Sequence, residues 1–417
     1  MLPDFPCRAA SLAALSLSAI LLSSCGGGGG GSAQATSSAA IGISPTGAVL
    51  AAAETIANVC SDEGQKQWVR SFMDETYLWH NEIRDVAGGK YSTPNAYFDA
   101  LLVKTAEPNG VVKDRFSLSM STPSANLMQG IDSAEAVAAS ASAWSVDPVP
   151  LWKVVTSNAG RRVGYIVFNE HKQGAQDKLI AAVTQMRDSA VQDLVLDMRY
   201  NAGGFLYVAQ SLGAMVAGPA IDGQIYEQLL YSDKRAAFNE TMFFSTRVTF
   251  PETTYTTGAA LPQLNLPRVY VLASRLTCSA SETLVNSLRG VGVEVVMVGD
   301  RTCGKPYGFH RKDNCGQAYF PVEFRVANAL GSADYAAGLP VQCKVAEDPR
   351  RALGDTNEPL LFAALRHIDT GACPPSAAVH AAGVIFERIE ASPLERDGAP
   401  AANAAMYQPG FNGLLRH

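Results

Sequence analysis

The sequence predicts an α/β protein, a sheet covered by helices, preceded by a small helical subdomain. Two observations carry that prediction. Short apolar runs such as Leu194-Val195-Leu196-Asp197-Met198 alternate along the chain with segments of helical period. Those runs are near-continuous rather than alternating, as strands buried on both faces are.

Each element follows from its own residues. Ser61 to Ile83 carries Trp68, Phe72, Tyr77 and Leu78 at helical spacing and opens a helical subdomain over 54–122. Residues 123–160 form a connector, Ala/Ser-rich from Ser133 to Ser145. The main α/β domain spans 161–372. In it Gly164–Phe168 reads as a strand, Asp177–Ser189 as a helix, Leu194–Met198 as a buried strand and Tyr207–Val216 as a helix. Val269–Ala273 is a strand, Ser281–Arg289 a helix and Val293–Val298 another strand. From Cys373 the chain turns Ala/Pro-rich and loses periodicity, so 373–417 reads as a loosely held tail.

The first fifty residues are of another kind. Arg8 precedes an apolar stretch from Leu12 to Leu22, too short to span a bilayer and of signal-peptide length. It ends in Leu22-Ser23-Ser24-Cys25, the pattern of a lipobox. Residues 1–25 therefore read as a lipoprotein signal peptide with Cys25 as the acylated residue; the plainer alternative is an ordinary signal peptide with a chance cysteine. Gly26 to Gly31 opens a Gly/Ala/Ser-rich linker over 26–53, a flexible tether from a lipid anchor. The expected location is the cell envelope, on the outer membrane facing the periplasm, because Gly26 rather than Asp follows the cysteine.

Composition narrows the function. A net charge of −6 without basic clusters argues against nucleic acid. Past Cys25 there are six cysteines, Cys60, Cys278, Cys303, Cys315, Cys343 and Cys373, an even number that suggests disulfides in an exported chain. Fifteen pairings are possible; Cys303 with Cys315 is the first expectation, because a short loop separates them. No CxxC or His-rich spacing suggests a metal site, and no cofactor is expected.

Three segments carry the candidate chemistry, each just past the end of a predicted strand. Ser279-Ala280-Ser281-Glu282 opens a helix, where unpaired backbone N–H groups and the helix dipole favour negative charge. The same residues also suit a plain helix cap. Thr302-Cys303-Gly304-Lys305 places a lysine after the next strand, which by itself reads as a solvated loop residue. Asp197-Met198-Arg199-Tyr200-Asn201-Ala202-Gly203-Gly204 ends in paired glycines, which let backbone N–H groups approach a ligand or simply make a turn. Carboxyl ends of successive strands are where α/β sheets bind ligands, and three bland readings at one sheet edge are improbable together.

In this order and at these spacings, DMRYNAGG, TCSASE and GDRTCGKPYG resemble the signature of the carboxy-terminal processing (tail-specific) serine peptidases. The resemblance covers roughly Val163 to Arg366. Lys113-Asp114-Arg115-Phe116-Ser117 is similar to that family's short motif ahead of the catalytic domain. Asp334-Tyr335 with Gly338 and Pro340, then Leu353-Gly354-Asp355, are similar to its closing segment. The resemblance implies a crotonase-like core of repeated strand–strand–helix units. It implies Ser279 as nucleophile, Lys305 as base, and oxyanion donors from backbone N–H groups around Gly203–Gly204 and of Ala280. The implied activity is that of a serine endopeptidase acting on exported or envelope proteins through a Ser–Lys acyl-enzyme. Its partners would be protein or peptide substrates, with membrane lipid reached through Cys25.

Two departures from the family pattern stand out. Phe309 occupies the position, four residues after the lysine, where many members carry an orienting glutamine. His310 could orient the lysine instead, or could be a plain surface histidine. Members also usually carry a PDZ domain, for which the 38 residues from Pro123 to Gly160 are too few. These departures keep open a catalytically inactive peptide-binding or scaffolding lipoprotein on the same fold, and, more distantly, a hydrolase of small esters. The peptidase reading makes a physical demand: a lysine of ordinary pKa about 10.4 must be brought to roughly 7 or 8 by burial, at a cost of about 3 to 5 kcal/mol. Pro306, Tyr307 and Phe309 could supply the dry pocket.

Overall fold

The computed structural model describes residues 42–43, 47, 49–106, 110–129 and 147–375. The segment read as a signal peptide, Cys25, the Ala/Ser-rich stretch from Ser133 to Ser145 and the residues beyond 375 lie outside them.

Strands β1 (Gly42–Ile43) and β2 (Val49–Leu50) pair with each other ahead of the first helix. Helix α1 (Asp62–Thr76) starts where the Ser61 hydroxyl accepts the Gly64 N–H, with Asp62 and Glu63 in its first turn. The sequence suggests a helix to Ile83. It stops at Thr76 because Tyr77 turns extended (φ −68°, ψ 133°) and buries its ring, its hydroxyl donating to Asp114 Oδ2 at 2.7 Å. After α2 (Pro94–Leu101) come β3 (Leu118–Ser121) and α3 (Thr122–Gln129).

The central sheet begins earlier than the sequence suggests. Strand β4 (Leu151–Thr156), inside the segment read as connector, pairs antiparallel with β5 (Arg162–Val167) as an edge strand. Lys153 and half-burial of the strand erase the continuous apolar signal that marks its neighbours. Then follow α4 (Ala175–Asp188), β6 (Asp193–Asp197), α5 (Leu206–Ala217), β7 (Ile225–Tyr231), β8 (Glu240–Phe243), β9 (Arg268–Ala273), α6 (Ala280–Gly290) and β10 (Glu294–Gly299). Four short strands, β11 (Tyr307–Gly308), β12 (Lys312–Asn314), β13 (Gln317–Phe320) and β14 (Phe324–Ala327), precede β15 (Cys343–Lys344) and α7 (Pro359–Thr370).

The order across the six-stranded sheet is β15-β10-β9-β6-β5-β4, parallel except at β4. Both faces are dry. Leu194, Leu196, Val269, Val271, Val295 and Met297 face a core shared with α4, α5 and α6. The alternate residues Val195, Tyr270, Leu272, Val296 and Val298 face Leu361, Ala364 and Leu365 of α7. This two-faced burial is why the strands read as continuous apolar runs. Strands β11-β14-β7-β8 form a second, antiparallel sheet, and β12-β13-β3 a third.

The helical N-terminal part shares its core with the rest. Trp68, Phe72 and Phe98 pack with Tyr307, Tyr319 and Val322, and β3 pairs with β13. A disulfide between Cys60 and Cys315 adds a covalent tie. Cys315 and Gly316, at φ 50° and 76°, make the two-residue turn between β12 and β13. The other disulfides are Cys278–Cys303 and Cys343–Cys373. The expected pairing of Cys303 with Cys315 is therefore corrected. Closeness in sequence misleads here: between them the chain leaves the sheet edge and turns at the Cys60 side. No helix among the described residues is long and apolar enough to cross a membrane.

Candidate active site

The register of the sheet lines up the strand ends. Asp197 lies opposite Leu272, and Leu272 and Ala273 lie opposite Val298 and Gly299. The segments after β6, β9 and β10 therefore leave one edge side by side: the Gly203–Gly204 turn, Ser279, and the loop to Lys305.

Ser279 stands on a tight strand-to-helix turn with φ 53° and ψ −118°. A side chain at positive φ is strained by roughly 1–3 kcal/mol and persists only where its surroundings over-determine it. They do so here. Thr277 Oγ1 donates to the Met198 carbonyl at 2.8 Å, and the Cys278 N–H donates to the Asn201 carbonyl at 3.0 Å.

Glu282 joins nucleophile and lysine segments. Its Oε2 accepts the N–H of Ser279 at 3.0 Å and that of Lys305 at 2.8 Å. Its Oε1 accepts the Gly304 N–H at 2.9 Å and the Thr302 hydroxyl at 2.5 Å. Burial pushes its pKa up to about 7, against these four donors, which favour the ionised form. The Cys278–Cys303 disulfide runs between the same two segments, one residue before Ser279 and two before Lys305. Cys278, Cys303 and Glu282 also lie close enough to share a cation, but with the disulfide formed the sulfurs carry no thiolate.

The Lys113-to-Ser117 motif supports the lysine from the other side. Arg115 Nη2 donates to the carbonyls of Cys303 and Gly304, each at 3.3 Å, and of Ala336 at 3.0 Å. Asp114 Oδ1 accepts the N–H groups of Phe116 and Ser117. Gly304, at φ 86°, lies so close to the Ala336 carbonyl that a Cβ would collide with it. Lys305 is only 4% exposed, with Nζ 4.2 Å from the centre of the Phe309 ring and 5.4 Å from that of Phe116. Burial lowers its pKa to about 7, against the pull of Asp114 and Glu282. His310 Nδ1 lies 3.1 Å from Glu323 Oε2, and its ring is parallel to that of Tyr231.

The glycine turn is anchored by a buried ion network. Arg199 Nε and Nη2 bind Asp197 at 2.9 and 2.8 Å, and Nη1 and Nη2 bind Glu358 at 2.9 and 3.0 Å. Gly203, at φ 100°, touches the nucleophile segment, so that a Cβ would come within 2.8 Å of Ser279 Cβ and 2.9 Å of the Ala280 nitrogen. Its own N–H is already donated to Asn201 Oδ1 at 2.9 Å. That narrows the expected set of oxyanion donors: Gly203 shapes the turn, while the N–H groups of Gly204 and Ala280 have no acceptor among the described residues. His171, which the sequence reading passed over, is fully buried against this turn. A lone histidine after a strand gives no signal of its own.

A strained serine at a helix start, unpaired backbone N–H groups beside it and a buried lysine of lowered pKa form an arrangement that can serve acyl transfer, the chemistry of the serine hydrolases. Residues 162–312 match the peptidase family S41 model and residues 64–118 the peptidase S41 N-terminal domain. Over these two stretches the chain carries the domains of peptidase family S41, a family of serine peptidases. A carboxyl-terminal-processing protease of a Picosynechococcus strain is 28% identical over 156 residues, 37% of this chain. The match spans about a third, 32%, of that relative's length. In fold the chain is similar to a candidate S41 protease of Bacteroides fragilis, at TM-score 0.56 and 24% identity over 73% of this chain and 97% of the other.

Proposed function

We propose that this chain is a serine endopeptidase in which Ser279 is the nucleophile and Lys305 its base, acting on exported or envelope proteins. The observation that carries this reading is the shared carboxylate of Glu282, which receives the backbone N–H of both residues. A pKa near 7 leaves a substantial fraction of Lys305 neutral at neutral pH, which a base requires. Neutral Nζ takes the Oγ proton as Ser279 attacks a peptide carbonyl carbon. The oxygen that becomes negative is met by the N–H groups of Gly204 and Ala280. As the C–N bond breaks, the ammonium returns its proton to the leaving amine. Water then attacks the acyl-enzyme, Nζ taking its proton and handing it to Ser279 Oγ as the acid departs. The Ser281 hydroxyl donates to the Asn201 carbonyl at 3.1 Å and has a supporting part. The lipobox ending at Cys25 supports an acylated protein held in the cell envelope.

The test is cleavage of an unfolded protein and of short apolar-tailed peptides. Ser279→Ala and Lys305→Ala should each lower kcat/KM by at least about a thousandfold, and the double variant no further, because nucleophile and base act as one unit. Substantial activity in Ser279→Ala would refute the assignment and favour an inactive scaffold or another nucleophile.

A further inference from the structure

His171 follows β5 on the loop that faces the glycine turn, and it makes three hydrogen bonds there. Its backbone N–H donates to the Gly203 carbonyl at 3.0 Å, and its carbonyl accepts the Phe205 N–H at 2.7 Å. Its Nδ1 lies 3.0 Å from Asn201 Oδ1. Asn201 is oriented by its other end, since Nδ2 donates to the Phe168 carbonyl at 3.0 Å. Oδ1 is therefore the acceptor, taking the Gly203 N–H at 2.9 Å and the His171 Nδ1–H together. The proton sits on Nδ1 and the lone pair on Nε2, which is buried and has no partner among the described residues. Ring and amide are both fully buried, so neither bond competes with water. The Phe168 ring, 4.3 Å from the imidazole centre, holds the plane.

The consequence is geometric. Asn201 is the hinge of the site: its carbonyl receives the Cys278 N–H and the Ser281 hydroxyl, while its side chain fixes Gly203. Gly203 in turn is wedged against Ser279 and Ala280. We propose that His171 is a positioning residue of this site, one that acts through Asn201 and the Gly203 backbone to aim the Gly204 N–H at the carbonyl oxygen attacked by Ser279. The inference rests on the reading of Ser279 and the 204 and 280 N–H groups as an acyl-transfer centre. Burial holds the pKa of His171 down to about 3, so the ring stays neutral and takes no part in proton transfer. Its contribution falls on the transition state, where the oxygen is charged, and hardly on the bound substrate.

Two substitutions separate this role from plain packing. In His171→Asn the amide nitrogen takes the place of Nδ1, whereas in His171→Gln, closer in size to histidine, it reaches toward Nε2. With an internally quenched apolar-tailed peptide as probe, His171→Asn should keep kcat within about fivefold of wild type. His171→Gln and His171→Leu should lose about thirtyfold to a hundredfold in kcat with KM nearly unchanged, on the scale of a misplaced oxyanion donor. Ser279→Ala runs beside them: if it stays active, the reading of the centre itself fails, whatever His171 does. If Ser279→Ala is inactive, Asn at least tenfold faster than Gln supports the proposal. Equal rates for the Asn and Gln variants, both high or both low, or Gln the faster, overturn it.

Discussion

At the scale of single residues, the lysine shows how placement sets chemistry. An ammonium in water is well solvated; Lys305 exchanges that water for the Phe309 face and the more distant carboxylates of Asp114 and Glu282. Desolvation dominates, and the pKa falls from 10.5 to about 7. The sign of the linked stability effect follows. Below pH 7 both folded and unfolded chains carry the charge, and the folded one bears the full cost of burying it, on the order of 5 kcal/mol. Between pH 7 and 10.5 the unfolded state holds more protons, so stability rises with pH and the cost fades. Lys305→Met, similar in shape and uncharged, should therefore stabilise the fold while abolishing activity. In denaturant titrations its advantage over wild type should shrink by about 3 kcal/mol between pH 6 and pH 9. An advantage that is the same at both pH values, or a loss at pH 6, would contradict a buried lysine of lowered pKa.

At the scale of elements, what was legible in the sequence follows from burial. Strands β5, β6, β9 and β10 lie inside the sheet with both faces dry, and their apolar runs stand out. The edge strand β4 has a half-wet face and a lysine in its middle, so it reads as connector. The motif spacings allowed Ser279, Lys305 and the glycine turn to be expected at one edge, because each motif immediately follows a strand. What holds them there was not legible. Disulfide partners, the four-donor clamp on Glu282, the Arg115 contacts to the lysine loop and His171 against Asn201 depend on residues up to 255 positions apart meeting in space. Phe309 was legible as a departure from a family pattern, but its place over Nζ was not.

At the scale of the whole molecule, we propose that a lipid at Cys25 holds the protein at a membrane surface. Part of the segment read as a linker is ordered, since Gly42–Ile43 pairs with Val49–Leu50. Cys25→Ser should release the protein from membrane pellets after a high-salt wash; a variant that still sediments with membranes would contradict the anchor. The central claim, a Ser279 activated by a lysine of lowered pKa, is tested most directly by the pH dependence of acylation under single-turnover conditions. An activated peptide ester supplies the acyl group, and the labelled residue is located by mass spectrometry. The account predicts an adduct on Ser279, formed at a rate that rises about tenfold per pH unit below pH 7 and levels off above it as Lys305 loses its proton. A rate flat from pH 5 to pH 9, or an adduct on any other residue, would contradict it.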